Sequence, residues 1–540
     1  MDLSASLQAV EAEIDGEYRS NPLLLQPRAQ AVWALLSSVE EWSIAPFVSG
    51  KMRSVHDHGS GVDNQINVLK YTLHWITKGC ATSGKLVQAY EPTRYKAASE
   101  LIKLAQQYRA FTAVFEYWHQ SELQLELDGN RLVTRHSFST DVEYEAYNIL
   151  MRNRGEQKPP SEADHLYEMI DSAVRVDRNR FELRVTPRLV ITVMKTFEQH
   201  FLERFTLPEE WQFSRYTMRD FRTVYLTMFT LSALQSRARV VAIQSGCPNF
   251  GIADAVLVLV TAKRDLVQRV ARYSGVDAAI VRAIFDDLEY GGARQRTPDP
   301  ALQPLIPLES EKYGISPTLW LHAAPERNLC VLLNRIPEER DIYSRLVDQK
   351  EALMRRRLSA VAAAAGYRVA SGRIPGRDDL GDVDMALVSD VDRECILLEL
   401  KWFITPAEIR EIRDRREELL KGISQLRRLS DAFRRKCPQL LSMLQLPSDS
   451  NASTAVVSKE WIGDSVLQRQ DTPVVMEHHL IAKLSSSQSL GEVVSWLTTK
   501  AYLPKRGNDF EVEMGIATVG KWSTEWYHIR GLIDHVFLPI

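Results

Sequence analysis

The sequence predicts an α/β domain with a mixed central sheet towards the C-terminus, preceded by a large, mainly α-helical region that carries one β-hairpin. Three observations carry this reading: apolar residues at helical three-and-four spacing up to about residue 340, strand-type alternation beyond it, and a balance of 45% hydrophobic and 25% charged residues over 540 positions. A chain of this size and composition can bury several cores, which excludes disorder and fibrous repeats.

Taken in order, 26–42, 95–118 and 219–244 each repeat apolar residues every three or four positions and are expected as helices. A hairpin over 122–136 interrupts them: Glu122 to Leu127 alternates, Asp128-Gly129-Asn130 is turn chemistry, and Arg131 to His136 alternates again. Breaks rich in Gly, Pro and charge at 152–164 and 291–304 read as loops or boundaries. The expected division is a helical domain with the hairpin (1–155), a helical middle domain (165–340), an α/β domain (341–500) and a C-terminal extension (501–540).

Beyond residue 340 a helix from about Ile342 to Ala365 should present Tyr343, Leu346, Val347, Met354, Leu358, Val361 and Ala365 on one face and stop at Gly366. Tyr367 to Ala370 starts a strand, Gly381 to Val388 alternates, and Cys395 to Phe403 is nearly continuous in apolar residues, as in a strand buried on both faces. Thr405-Pro406-Ala407-Glu408 has the chemistry of a helix start, with a helix to about Arg435. Strands at 453–457 and 472–476 and a helix near 490–500 follow.

The near balance of 67 Lys+Arg and 70 Asp+Glu argues against non-specific binding of polyanions over the whole surface, so any such site must be local. Five separated cysteines, never in a CxxC pair, suggest free, mostly buried thiols in a reducing compartment. The longest apolar run, about Ile252 to Ala262, is too short to span a bilayer, and the N-terminus lacks a signal-peptide pattern, so no membrane association and a cytoplasmic location are expected.

The chemistry concentrates in Gly381 to Trp402. If the strands around Asp384 and Glu399 form an antiparallel hairpin centred between Val391 and Asp392, the two carboxylates are equally far from that centre and face each other. Like charges directly opposite destabilise a sheet. The two-residue period also puts Lys401 on the face of Glu399. Two acids and an amine converging between apolar strands suit a hard divalent cation, which takes carboxylate, water and phosphate oxygens.

This D…ExK constellation, Asp384 with Glu399-Leu400-Lys401 on strands followed by a capped helix, resembles the PD-(D/E)XK nuclease superfamily, which includes many restriction endonucleases and Holliday-junction resolvases. The resemblance covers about residues 342–480. It implies that Asp384 and Glu399 hold Mg²⁺ or Mn²⁺ and that Lys401 acts at the attacking water. Pro375 lies nine residues before Asp384 rather than beside it. Several members take an extra metal ligand from the first helix, a role that Glu351 would fill; the alternative is a helix-edge acid paired with an arginine. Gln425 stands where one subgroup has a helical Gln followed four residues later by Tyr, but position 429 is Leu, and a plain surface glutamine is the competing reading. Asp382 shares the strand face of Asp384, as a supporting group or an exposed acid.

The function so implied is Mg²⁺-dependent hydrolysis of phosphodiester bonds in nucleic acid, DNA in preference to RNA. The N-terminal region would serve recognition or regulation, and restriction or anti-phage defence enters by analogy, with a homo-oligomer or a defence-complex partner as a further expectation. Two other classes compete: a non-catalytic nucleic-acid-binding or scaffold protein with a decayed nuclease fold, and a nucleotide-responsive switch. The last would use Gly79 to Lys85, which satisfies GxxxxGK but has Leu86 where a hydroxyl should hold Mg²⁺, so no nucleotide site is expected there. His56-Asp57-His58 reads as a polar loop, and Glu477-His478-His479 as the cap of a strand. The basic clusters at 355–357, 413–416, 427–428 and 434–436 are interleaved with acids and read mostly as solvated, ion-paired helix faces.

Overall fold

The computed structural model describes residues 3–49, 55–89, 91–135, 141–152, 163–177, 180–202, 205–246, 258–292, 297–309, 311–406 and 409–532. Where the sequence suggests consecutive segments, contacts group the chain into two units, each drawn from separated stretches. One comprises 1–134, 157–344 and 516–526, the other 135–156, 345–515 and 527–540. The break expected at 152–164 falls almost wholly outside the described residues.

The first unit is mainly helical. Helices Arg28–Ser49, Val55–Gly79 and Pro92–His119 share one core, with Trp33, Leu35, Leu69, Ile76, Ala98 and Leu101 all buried. Residues 29–37 are buried without interruption, so the first of these helices is enclosed rather than amphipathic. Its buried Glu40 therefore needs partners, and accepts from Arg239 Nη2 at 2.9 Å, from Thr318 N at 2.9 Å and from the Ser316 hydroxyl. The hairpin forms as Gln124–Asp128 and Arg131–Arg135 around Gly129-Asn130, with Gly129 at φ 59°. The periodicity did not reveal two further β elements: a strand pair, Val174–Asp177 with Arg180–Leu183, and a three-stranded antiparallel sheet of Leu259–Ala262, Leu305–Glu309 and Lys312–Ile315. His56-Asp57-His58, expected in a loop, lie in the first turn of helix Val55–Gly79.

The second unit is an α/β domain around a mixed five-stranded sheet. Its elements are α1 (Glu143–Arg152), α2 (Pro337–Ala364, in this unit from Arg345), β1 (Arg368–Arg373), β2 (Asp382–Ser389), β3 (Glu394–Lys401), α3 (Ile409–Arg434), β4 (Asn451–Ser458), β5 (Val474–Met476), α4 (Glu477–Ser486) and α5 (Leu490–Thr498). The strand order is β5-β4-β3-β2-β1. β1, β2 and β3 run antiparallel in turn, whereas β3–β4 and β4–β5 are parallel, so α3 lies in the crossover between β3 and β4. Gly366 at φ 81° ends α2, as its position suggested. Ala407 and Glu408 of the expected helix start lie outside the described residues, and α3 is described from Ile409. Glu477-His478-His479 open α4 directly after β5, where a strand cap was expected.

α1 is far from the rest of this unit in sequence but belongs to its core. Asn148 Nδ2 donates to Gly463 O at 2.8 Å, and its Oδ1 accepts from Ile462 N at 3.1 Å. Tyr144 Oη accepts from Val474 N at 3.1 Å, and Tyr147 Oη lies 2.5 Å from His479 Nδ1. All of these groups are buried, so each bond lost leaves an unsatisfied partner. Asn148→Ala should destabilise the protein by about 2–4 kcal/mol, since two backbone groups lose their partner at once. Chemical denaturation of the variant beside the parent checks this.

Candidate functional site

β2 and β3 pair with Glu394 opposite Ser389 through to Leu398 opposite Met385, around a loop at 390–393. The ladder pairing ends there; continued by one step it would set Glu399 opposite Asp384, the arrangement expected from the symmetry of the hairpin, and at that step the Asp384 side chain takes the backbone N–H of Leu400. Asp392 holds the loop: its Oδ2 accepts from Ser389 Oγ at 2.9 Å and from Leu490 N at 3.0 Å, and its backbone N–H donates to Ser389 Oγ at 3.1 Å.

Apolar neighbours fix the carboxylates in place. Leu397, Leu398 and Leu400 are buried around Glu399, which is itself only 4% exposed, while Asp384 is half-buried. Asp384 Oδ2 accepts from Leu400 N at 3.0 Å, and Lys401 Nζ stands 2.8 Å from Glu399 Oε1. Each carboxylate thus has one oxygen engaged, and its other oxygen has no hydrogen bond among the described residues. α3 covers this face at Gly422: a Cβ there would lie 2.9 Å from Glu399 Cγ and 3.5 Å from Lys401 Cε. A glycine inside a helix costs about 1 kcal/mol, and here it makes room for the carboxylate. That mid-helix Gly was the signal from which the sequence could have revealed the covering element.

Burial raises the Glu399 carboxyl to about 7, with the charge of Asp384 next in effect and that of Glu351 adding to it; Lys401 pulls it back only in part. Lys401 is raised despite its burial, because Glu399, Glu351 and Asp384 surround the ammonium. Glu351 is raised by the crowding of protein around it and by Asp384, against the opposing pull of Lys401. The structure therefore brings Asp384, Glu399, Lys401 and Glu351 into one electrostatic cluster. The helix face expected for Glu351 is corrected: Tyr343, Lys350, Met354 and Leu358 form the buried stripe of α2, and Glu351 lies at its solvent-exposed edge.

Gln425 is not a plain surface glutamine, for its Nε2 donates to Asp382 O at 2.8 Å and ties α3 to the start of β2. Asp382 itself is exposed. Beside Lys401, Trp402 carries Arg357 at 4.9 Å, Lys459 at 5.7 Å and Lys350 at 6.0 Å from its ring centre. Arg357 and Lys459 also pair with the buried Glu477, at 2.9 and 3.0 Å. Single-residue spacing gave no sign of this group, because its members come from four separate elements.

Among the described residues no set of three or more His, Cys, Asp or Glu side chains is arranged to hold a metal ion. An opposed pair still fits a cation such as Mg²⁺, which keeps most of its waters and takes one or two carboxylates. Gly79 is the last residue of a helix and residues 80–89 contain no helix, so the amides of Gly79–Lys85 gather at no helix N-terminus; Lys85 is exposed. Cys80, Cys330, Cys395 and Cys437 are free and buried; Cys247 lies outside the described residues. Among the described residues no helix is long and apolar enough to cross a membrane. Comparison of the chain with protein-family models, with curated proteins and with solved structures gives no match.

Two outcomes follow from this packing. Gly422→Ala should displace Glu399 and destabilise the protein by about 1–2 kcal/mol, because an overpacking cost of about 1–3 kcal/mol outweighs the gain in helix propensity; thermal unfolding measures it. Since Glu399 binds its proton more tightly when folded, its contribution to stability is fully present below about 4.5 and is lost as pH rises through about 7. Without divalent metal the protein should therefore lose stability over that window, by about 1.4 kcal/mol for each pKa unit, and Glu399→Gln should flatten the loss in a melting-temperature series.

Proposed function

We propose that the second unit is a metal-dependent nuclease of the PD-(D/E)XK type that hydrolyses phosphodiester bonds in nucleic acid, with DNA as the favoured substrate. The observation that carries the reading is the buried Glu399 with Lys401 at 2.8 Å, beside Asp384 on the neighbouring strand, whose Oδ2 accepts from Leu400 N at 3.0 Å. Sheets avoid opposed anions, and the Glu399 carboxyl is pushed up to about 7 by its burial first and by the charge of Asp384 second, the kind of perturbation that gathers at functional sites.

Asp384 and Glu399 would hold Mg²⁺ or Mn²⁺, and Glu351 would add a third carboxylate on the side of α2. The ion would neutralise the phosphate and lower the pKa of its water. Lys401 remains an ammonium at neutral pH, since its proton is held more tightly than usual. It therefore acts as a donor that orients the water and balances charge at the phosphate, not as the base that takes the water's proton. Gln425 supports the site from behind by fixing the strand end two residues before Asp384.

Asp384→Ala, Glu399→Ala and Lys401→Ala should each lower cleavage by about 10²–10³-fold or more, corresponding to several kcal/mol of transition-state stabilisation. The assay is purified protein with plasmid, linear and single-stranded DNA and with RNA, in the presence and absence of Mg²⁺ or Mn²⁺. Unchanged cleavage in all three variants would contradict the assignment.

A further inference from the structure

α3 and the two residues after it carry ten cationic side chains between Arg410 and Lys436, and the structure separates them into two kinds. Arg413, Arg415, Arg416 and Arg434 are paired with Asp414, Glu418, Asp464 and Asp431, and Arg427 donates to Gln470 Oε1 at 2.8 Å. Arg410 and Lys436 at the two ends of the stretch, and Lys421, Arg428 and Arg435 between them, are exposed and have no ion pair or hydrogen bond from their side chains among the described residues. Arg435 follows the last helical residue, but its N–H still bonds to Asp431 O at 3.0 Å and so continues the turn.

Of these five, Lys421, Arg428 and Arg435 recur every seven residues, which returns to the same side of a helix after two turns, about 10.5 Å apart. Their line borders a groove of about 480 Å³ lined by Glu417, Leu420, Lys421, Ser424, Gln425 and Arg428. Glu417 is the one acid in that lining. The line also adjoins the carboxylate pair: Gly422, next to Lys421, packs on Glu399, and Gln425 reaches the carbonyl of Asp382. Ion-paired arginines have their charge already met, whereas a solvated row of unmet charges is complementary to a polyanion.

We infer that the Lys421–Arg428–Arg435 line on α3 is the track along which the phosphate backbone of a nucleic acid lies as it enters the site. The span of about 21 Å accommodates roughly six nucleotides of one strand at about 3.4 Å each. The inference rests on the nuclease reading for the identity of the polyanion, but binding through the line does not require that the protein cleave.

The test is fluorescence anisotropy with a labelled 30-nucleotide strand and its duplex, in chelator to prevent cleavage, from about 50 to 200 mM salt. The triple variant Lys421→Gln/Arg428→Gln/Arg435→Gln should bind about ten-fold or more weakly, and the slope of log affinity against log salt should fall by about two to three. Arg434→Gln, beside Arg435 but already paired with Asp431, should bind like the parent, and the melting temperature of the triple variant should be unchanged, since all three positions are exposed. Unchanged affinity and slope in the triple variant would overturn the proposal, as would a parent that binds anionic lipid vesicles but neither oligonucleotide. The two readings fail separately. A parent that binds through the line but never cuts contradicts only the nuclease assignment, whereas cleavage by the triple variant with unchanged KM contradicts only the track.

Discussion

Two carboxylates held on neighbouring strands of one sheet, one of them almost wholly buried, set the terms for the rest of the second unit. The pairing is unfavourable for the sheet and persists because its surroundings determine it. The register of β2 and β3 is fixed by the apolar side chains on either side and by the Asp392 loop. Leu400 N and Lys401 each meet one oxygen of the pair, and Gly422 removes the side chain that would otherwise fill the space. Real proteins break a local rule of this kind where function requires it, and compensate nearby.

The support reaches beyond the strands themselves. Gln425 ties α3 to the start of β2, and α1 ties β5, the Ile462-Gly463 turn and α4 together through Asn148, Tyr144 and Tyr147. A segment more than 300 residues earlier in the chain thus helps to hold the edge of the sheet. Arg357 and Lys459, both against Trp402 and paired with buried Glu477, fix the chain immediately after Lys401. The amine is consequently anchored from both sides of its strand position.

Short-range signals made much of this legible in the sequence. Hairpin symmetry placed Glu399 opposite Asp384, the alternation placed Lys401, and Gly366 marked the end of α2. What stayed hidden depends on distant partners. The assignment of α1 to the second unit rests on Asn148 meeting Ile462 and Gly463, which no local pattern encodes. Glu351 was placed on the buried face because position 351 also satisfies the three-and-four spacing, but Lys350 occupies that face with its stem packed and its charge beside Trp402. The basic clusters looked alike in sequence, and only the positions of Asp464, Gln470 and Asp431 show which charges are met. Short strands in the first unit, four or five residues each, fell below the length at which alternation can be told from chance.

The central claim, that the Asp384–Glu399 pair exists to hold a divalent cation, is tested most directly by titrating Mn²⁺ into the protein at pH 7 by calorimetry in buffers of different ionisation enthalpy. With the Glu399 carboxyl at about 7 in the metal-free protein, binding should release about half a proton per ion, and Glu399→Gln should abolish that release and weaken binding. Failure of the parent to bind Mn²⁺, or binding with the same proton release in parent and Glu399→Gln, would contradict the account.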